Sequence, residues 1–445
     1  MKHILESDLA LFAFGPDAVS PARRAEIEAH VATCHDCQAS LDFFVVAEGD
    51  LKDDDTWEQA LGSETRTSLL AYGAQVATED SEAEELLRPF IENPIQAAWT
   101  SLSTRRRYRT GGVVRKLSAA AHSVCESDPL VALTLAETAV AVAESLADDL
   151  YPAQAVHQLR GTAWKERANA QMLLGQFPEA HGSLDHAERA YRRVTHNALG
   201  LSMVALVRAA VMYEQQRLDD AMVIAQRAEL GFSHLGDDKR RMDARFLRAS
   251  ILFEAGAAGD AATLFQEVID YGQQIRSPLW EARGSYALAN AEIDLGRLSD
   301  AAMHFHRALV TFRAIGPDPD RIATEWGIAR VVLQSGRLPE AIRRLKDVAA
   351  DYEKGGMVTD AALVGLDIVE ALLALGRTSE ITKLAQHLFS VFRKAGMLTG
   401  ALSAMAYMKD AAAQARLTQH DVGKIRTFLR RAARQPALKF APPHG

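Results

Sequence analysis

The sequence LGRLSDAAMHFHRA at residues 295–308 decides the fold, because blocks of the same pattern recur along most of the chain. Each block is a turn followed by a helix, and the others are LGQFPEAHGSLDHA (174–187), QQRLDDAMVIAQRA (215–228), AGAAGDAATLFQEV (255–268), SGRLPEAIRRLKDV (335–348) and LGRTSEITKLAQHL (375–388). The predicted first residues of these helices are Ala180, Ala221, Ala261, Ala301, Ala341 and Ile381. Their nearly constant spacing of roughly 40 residues is typical of a stacked repeat array.

Each repeated helix also has apolar residues four and seven positions after its first residue, which makes one face apolar. Twelve residues before each first residue, the preceding helix carries a small residue: Ala168, Ala209, Ala249, Ala289 and Ala329, with Val369 in the last copy. The pattern therefore predicts stacked helical hairpins whose core exists only between neighbours. Groove residues vary between copies, so we expect no aromatic or charged side chain to recur at one groove position.

These spacings resemble those of the tetratricopeptide repeat, over roughly residues 129–396. The period of roughly 40 residues exceeds the roughly 34 of that repeat, which predicts longer helices or longer loops. The resemblance implies an all-α chain with a solenoid of about seven helical hairpins. It also implies a concave surface for a peptide, protein or small-molecule ligand.

The charge of the chain is concentrated at its N-terminus. The 445 residues carry a net charge of −8, but residues 1–60 alone hold four basic and 13 acidic side chains. This balance argues against direct binding of nucleic acid and fits a basic protein partner better.

The sequence indicates a cytoplasmic protein without a membrane span. No apolar run approaches the roughly 20 residues of a membrane helix, and MKHILESDLA has no apolar core of a signal peptide. The three cysteines do not form a disulfide framework. Because no nucleotide-binding or hydrolase motif occurs, we expect no enzyme activity.

A candidate metal site lies within EIEAHVATCHDC, where His30, Cys34 and Cys37 form H-x3-C-x2-C. His30 and Cys34 fall on one face of a helix, one turn apart, and Cys37 follows after a short turn. Such ligands suit a tetrahedral zinc ion, Zn²⁺, which needs a fourth ligand in a structural site. His3 is the best candidate, and His35 and Asp36 are alternatives that would strain the geometry.

This N-terminal segment resembles the zinc-binding anti-sigma domain of bacteria over about 48 residues. The resemblance is carried by His3, the apolar face of the first helix, Gly15, the segment from Glu28 to Cys37, and the apolar helix that follows. It implies that a cytoplasmic regulator sequesters an extracytoplasmic-function (ECF) sigma factor, and that an apolar face contacts this partner. The candidate contact residues are Leu5, Leu9, Phe12, Leu41 and Phe44.

The sequence thus predicts a zinc-stapled helical domain (1–48), an acidic linker (49–110), a repeat superhelix (111–434) and a flexible tail (435–445). The linker includes residues 81–103 as a candidate fourth helix that clamps the sigma factor. A signal bound by the repeats would release the sigma factor if it bound the free and complexed states unequally. Oxidation of Cys34 and Cys37 would also destroy the ligand set. The alternative hypothesis is a repeat scaffold that assembles proteins, with a structural zinc module.

Overall fold

The computed structural model is all-helical, as the sequence predicts. It describes residues 4, 12, 19–34, 37–38, 41, 63–92, 102, 104–147, 150–195, 197–315, 318–394, 399–434 and 438–442, and of residues 63–70, 92, 399, 433 and 434 it describes the backbone only. No strand occurs within these residues. No helix among them is long and apolar enough to cross a membrane.

The chain divides into two compact units. The first comprises residues 1–124 and 131–163, and the second comprises residues 125–130 and 164–445. The helices before the regular repeats are α1 (Pro21–Val31), α2 (Ser63–Glu92), α3 (Gly111–Val124), α4 (Pro129–Glu144) and α5 (Ala153–Leu173). The predicted domain boundary at residue 110 falls inside the first unit.

In the first unit, α2 packs on α3 through polar contacts. The Glu79 carboxylate accepts hydrogen bonds from the backbone N–H of Gly112 (3.1 Å) and from the Tyr151 hydroxyl (2.8 Å). Arg115 pairs with Asp80 at 2.8 Å. The candidate fourth helix at residues 81–103 corresponds in part to α2, which is continuous from residue 63 and ends just before Asn93-Pro94. A residue that precedes proline disfavours helix, which accounts for this end.

The second unit contains the repeat array. Its helices are α6 (Phe177–Tyr191), α7 (Ala198–Glu214), α8 (Leu218–His234), α9 (Asp238–Glu254), α10 (Ala258–Gln274), α11 (Pro278–Asp294), α12 (Leu298–Ile315), α13 (Asp318–Gln334), α14 (Leu338–Lys354), α15 (Val358–Ala374), α16 (Thr378–Lys394), α17 (Thr399–Ala413) and α18 (Gln419–Arg434). Together with α5 they form seven hairpins within the described residues, in agreement with the predicted solenoid of about seven. The second helix of each repeat starts three residues before its predicted first residue, as at Leu298 for Ala301.

From α7 to α16 the helices start at a constant interval along the chain, and the turns that the structure describes between them have nearly the same geometry. After α9, Gly256 has φ +83°, its N–H donates to Phe253 O (3.0 Å), and Ala257 N donates to Leu252 O (2.9 Å). These two bonds form a Schellman motif, which satisfies the last carbonyls of the helix. Positive φ recurs at the same interval: Gln216, Gly236, Gly256, Arg276 and Gly296, then Gly336, Gly356 and Gly376.

The predicted core positions are buried. The small residues of the first helices and the first residues of the second helices have no exposed surface, as at Ala249, Ala289, Ala261 and Ala301. The apolar positions that follow are at most 3% exposed, as at Val348. The hairpins therefore bury one another's faces, and no hairpin has a separate core.

The C-terminal tail differs in part from the flexible segment that the sequence predicts. Leu438 and Phe440 pack against the last hydrophobic cluster, and the ring of Phe440 lies 5.1 Å from that of Phe428 and 5.8 Å from that of Tyr407. These apolar side chains cover the exposed end of the array, where no further repeat follows among the described residues.

The turn geometry gives a testable prediction. Gly296→Ala should lower stability by about 1 kcal/mol, because a residue with a Cβ is strained at φ +73°. The matched control is Gly182→Ala in the middle of α6, where a Cβ meets nothing within 4 Å. That change should instead stabilise the chain by about 0.5–1 kcal/mol. Urea unfolding midpoints measure both effects, and equal shifts for the two variants would contradict this account of the turns.

Candidate metal site and candidate binding groove

The candidate metal ligands lie together at the end of α1. Ser20 caps this helix by accepting from Arg23 N (3.3 Å), and Pro21 takes its first position, as the sequence predicts. The helix ends at Val31, and Cys34 N donates to His30 O (2.9 Å), which brings Cys34 back beside the last turn. Cys37 is itself helical and is buried.

The geometry of these three residues fits a metal ion. One ligand atom each of His30, Cys34 and Cys37 lies within 4.8 Å of the other two. Zinc–sulfur bonds of about 2.3 Å in a tetrahedral site hold two thiolates roughly 3.8 Å apart, so a modest closure suffices. Imidazole and thiolates are the donors that zinc prefers. His3, His35 and Asp36, the predicted fourth ligand and its alternatives, lie outside the described residues.

The predicted partner-binding residues are only partly described. Phe12 and Leu41 are half-buried and pack against the small core of Ile4, Val19, Ile27 and Cys37. Leu5, Leu9 and Phe44 lie outside the described residues.

In the second unit, the first helices of successive repeats line one large groove. We name this the inner groove; it holds a cavity of about 1010 Å³ lined by side chains of α7, α9, α11, α13, α15 and α18. This volume is at the upper end of the range for ligand sites, about 300–1,000 Å³.

An aromatic column runs along the inner groove. Phe246, Tyr286 and Trp326 lie one repeat apart in the sequence, line the cavity and are half-buried. Rings behind the column support it, with Phe305 behind Tyr286 (5.9 Å between ring centroids) and Tyr352 behind Trp326 (6.1 Å). The expectation that no aromatic side chain recurs at one groove position is therefore wrong. A comparison of Phe246 with the residues at the same position of the following repeats would have revealed the column from the sequence.

A buried charge network holds one wall of the inner groove. The Trp326 indole N–H donates to Asp367 Oδ2 (2.6 Å), and Asp367 also pairs with Arg426 of α18. Arg426 bonds Glu370 at 2.6 Å with its other nitrogen. Desolvation by burial would lower the pKa of Arg426, but the neighbouring Asp367 and Glu370 outweigh it and raise this pKa. For Glu370 the balance is the reverse, because desolvation raises its pKa more than Arg426 lowers it. The network fixes the Trp326 ring and ties α18 to α13 and α15.

Other polar groups face the cavity with capacity for a ligand. Asn290 donates to Tyr286 O (3.0 Å), and its amide oxygen accepts from Arg330 (3.3 Å). Arg430, Glu254 and Asp294 also line the cavity and make no ion pair with any described residue. Burial and the nearby Arg426 lower the pKa of Arg430. The inner groove thus combines apolar rings, an amide and charges of both signs.

The third cysteine is unrelated to the metal site. Cys125 is 7% exposed, and burial raises the pKa of its thiol to about 11. It is a buried, protonated side chain.

Comparisons with known proteins find only distant structural likenesses. No protein family profile and no curated protein matches the chain. Among solved structures, the apo form of RapI aligns with a TM-score of 0.42 at 13% identity, over 59% of this chain and 99% of that one. A Rap protein complexed with Competence and Sporulation Factor aligns with a TM-score of 0.45 at 14% identity, over 80% of this chain and 99% of that one. Aspartyl phosphate phosphatase F from Bacillus subtilis aligns with a TM-score of 0.43 at 14% identity, over 94% of this chain and 97% of that one. At these identities and TM-scores the likeness carries no argument about this chain.

Proposed function

We propose that this chain is a protein-binding scaffold whose inner groove takes an extended peptide segment of a partner protein. The observation that carries the proposal is the aromatic column within a cavity of about 1010 Å³. A half-buried row of rings along a concave surface offers apolar side chains a place to bury area.

The polar lining favours a peptide over a purely apolar ligand. Asn290 and Arg330 can bond the amide groups of a peptide backbone, which would otherwise lose their bonds to water on binding. Arg430 and Glu254 offer charges of opposite sign in the same cavity. An extended peptide carries all three kinds of group: apolar side chains, backbone amides and charges.

The groove can be tested by selecting binders from a peptide library with the full-length protein. Selected peptides should bind at least about tenfold more weakly to Tyr286→Ala/Trp326→Ala, because the loss of two aromatic anchors costs more than about 1.4 kcal/mol. The variant Asn290→Ala/Arg330→Ala should also bind the selected peptides more weakly. Fluorescence anisotropy with labelled peptides measures the dissociation constants.

The matched control is Met303→Ala/Val310→Ala, which removes two apolar side chains of α12 that are 59% and 72% exposed. This variant should bind the selected peptides as the original protein does. Peptides that bind the aromatic variant with undiminished affinity, while circular dichroism shows it folded, would contradict the groove proposal.

The metal site favours a second candidate function, sequestration of an ECF-type sigma factor by the N-terminal segment. The observation behind it is the cluster of His30, Cys34 and Cys37 within 4.8 Å. A bound zinc ion would supply cross-links to a bundle too small to be stable alone. His30 would bind through an imidazole nitrogen and the two cysteines as thiolates. In this candidate, the repeats would sense the signal that frees the sigma factor.

Metal analysis and co-purification test this candidate. The full-length protein should contain about one zinc ion per chain, and Cys34→Ser/Cys37→Ser should lose it. The control Cys125→Ser should keep the ion, because that thiol is protonated and lies elsewhere. An ECF sigma factor encoded beside this chain should co-purify with the control and not with the double variant. A double variant that retains its zinc would rule out these ligands.

A further inference from the structure

A second cavity lies in the second unit, beside the N-terminal ends of α9, α11 and α13. We name it the side pocket; it has a volume of about 390 Å³ and shares Phe246, Tyr286 and Ala323 with the inner groove. Its residues occupy earlier turns of the same helix faces that line the inner groove. The side pocket is therefore a separate compartment of one continuous concave surface.

Aromatic rings line much of the side pocket. Trp280, Phe312, Phe246 and Tyr286 all contribute to it. Trp280 is held in place by an edge-to-face contact with Tyr271, with ring centroids 5.8 Å apart. The faces of such rings carry negative partial charge, so they attract a cation that approaches within about 6 Å.

The charged lining of the side pocket is acidic. Glu126, Asp243 and Asp320 line it with a single cation, Arg283. Arg283 lies 3.9 Å from Glu126, whose side chain is 85% exposed. The carboxylates of Asp243 and Asp320 make no hydrogen bond or ion pair with any residue that the structure describes. Burial raises the pKa of both Asp243 and Asp320.

The repeat fold does not require the carboxylate of Asp243, because the same position holds Arg283 and Ala323 in the following repeats. Asp320 lies in the first turn of α13, where a negative charge is favourable, and the same position holds Trp280 one repeat earlier and Asp360 one repeat later. The helices thus keep their form with and without a carboxylate at either position. Arg283 attracts both carboxylates, but burial outweighs this attraction, and neither carboxylate has a hydrogen-bond partner among the described residues. Two such carboxylates beside an aromatic cavity indicate a cationic ligand that completes their pairing.

We infer that the side pocket binds a small organic cation, a primary ammonium or guanidinium group on an aliphatic chain. The carboxylates of Asp243 and Asp320 pair with the charged group, and the rings of Trp280 and Tyr286 cover the aliphatic chain. The cation belongs either to a free amine or to a basic side chain of the peptide in the inner groove. Only the second source rests on the proposed function.

The test uses calorimetric titration of the full-length protein with defined probes. The free probes are 1,5-diaminopentane and agmatine, with 1-pentanol as the uncharged control. The peptide probes are acetyl-Gly-Lys-Gly-amide and its norleucine counterpart. A cationic probe should bind at least about tenfold more tightly than its neutral counterpart, since a charge pair and a cation–π contact are lost in the latter. This comparison needs no variant.

Variants then locate the binding. The variant Asp243→Asn/Asp320→Asn should bind the cationic probe about tenfold more weakly, because two carboxylate charges are lost. Asp219→Asn/Asp260→Asn, in the exposed first turns of α8 and α10, should leave its affinity unchanged. Binding of free amines identifies a small-molecule ligand, and binding of the lysine peptide alone identifies a side chain. Equal binding of charged and neutral probes, or no binding of any probe, would overturn the inference whether or not peptides occupy the inner groove.

Discussion

The architecture depends on one constraint, the short turn with a left-handed residue that ends most helices of the array within the described residues. Two hydrogen bonds fix this turn, and helices of nearly equal length lie between successive turns, so the helices start at a constant interval. Identical turns place equivalent residues of successive repeats on the same surface. Gln216 and Arg276 take the same positive φ where glycine is absent. The packing in the core can therefore hold the geometry even at the cost of some backbone strain.

This regular spacing produces the functional surface. Phe246, Tyr286 and Trp326 form a column only because one repeat length brings the chain back to the same face of the next hairpin. Positions three residues earlier, Asp243 and Arg283, form a second row that differs in charge. The repeats thus hold the helices in one arrangement while the exposed inner positions vary. The inner groove and the side pocket follow from this division between core and lining.

Much of the fold could be predicted from the sequence because the period and the core residues are local signals. Ala261, Phe265 and Val268 repeat at fixed spacings, and the structure buries all three. The helix starts were harder to predict, since a helix begins at its turn and not at its first buried residue. The aromatic column was missed because Phe246, Tyr286 and Trp326 differ in residue type, and only their spacing of one repeat length reveals it. The junction of α2 with α3 was also missed, since Glu79 meets Gly112 across 33 residues without any repeat to mark it.

The central claim is that the inner groove is where this protein meets a partner. The most direct test is photo-crosslinking in the native host, with the photoreactive residue p-benzoylphenylalanine in place of Trp326 or, as a control, of the exposed Val310. The account predicts a covalent adduct with a defined partner from position 326 and none from position 310. Adducts from position 310 with none from position 326 would contradict it.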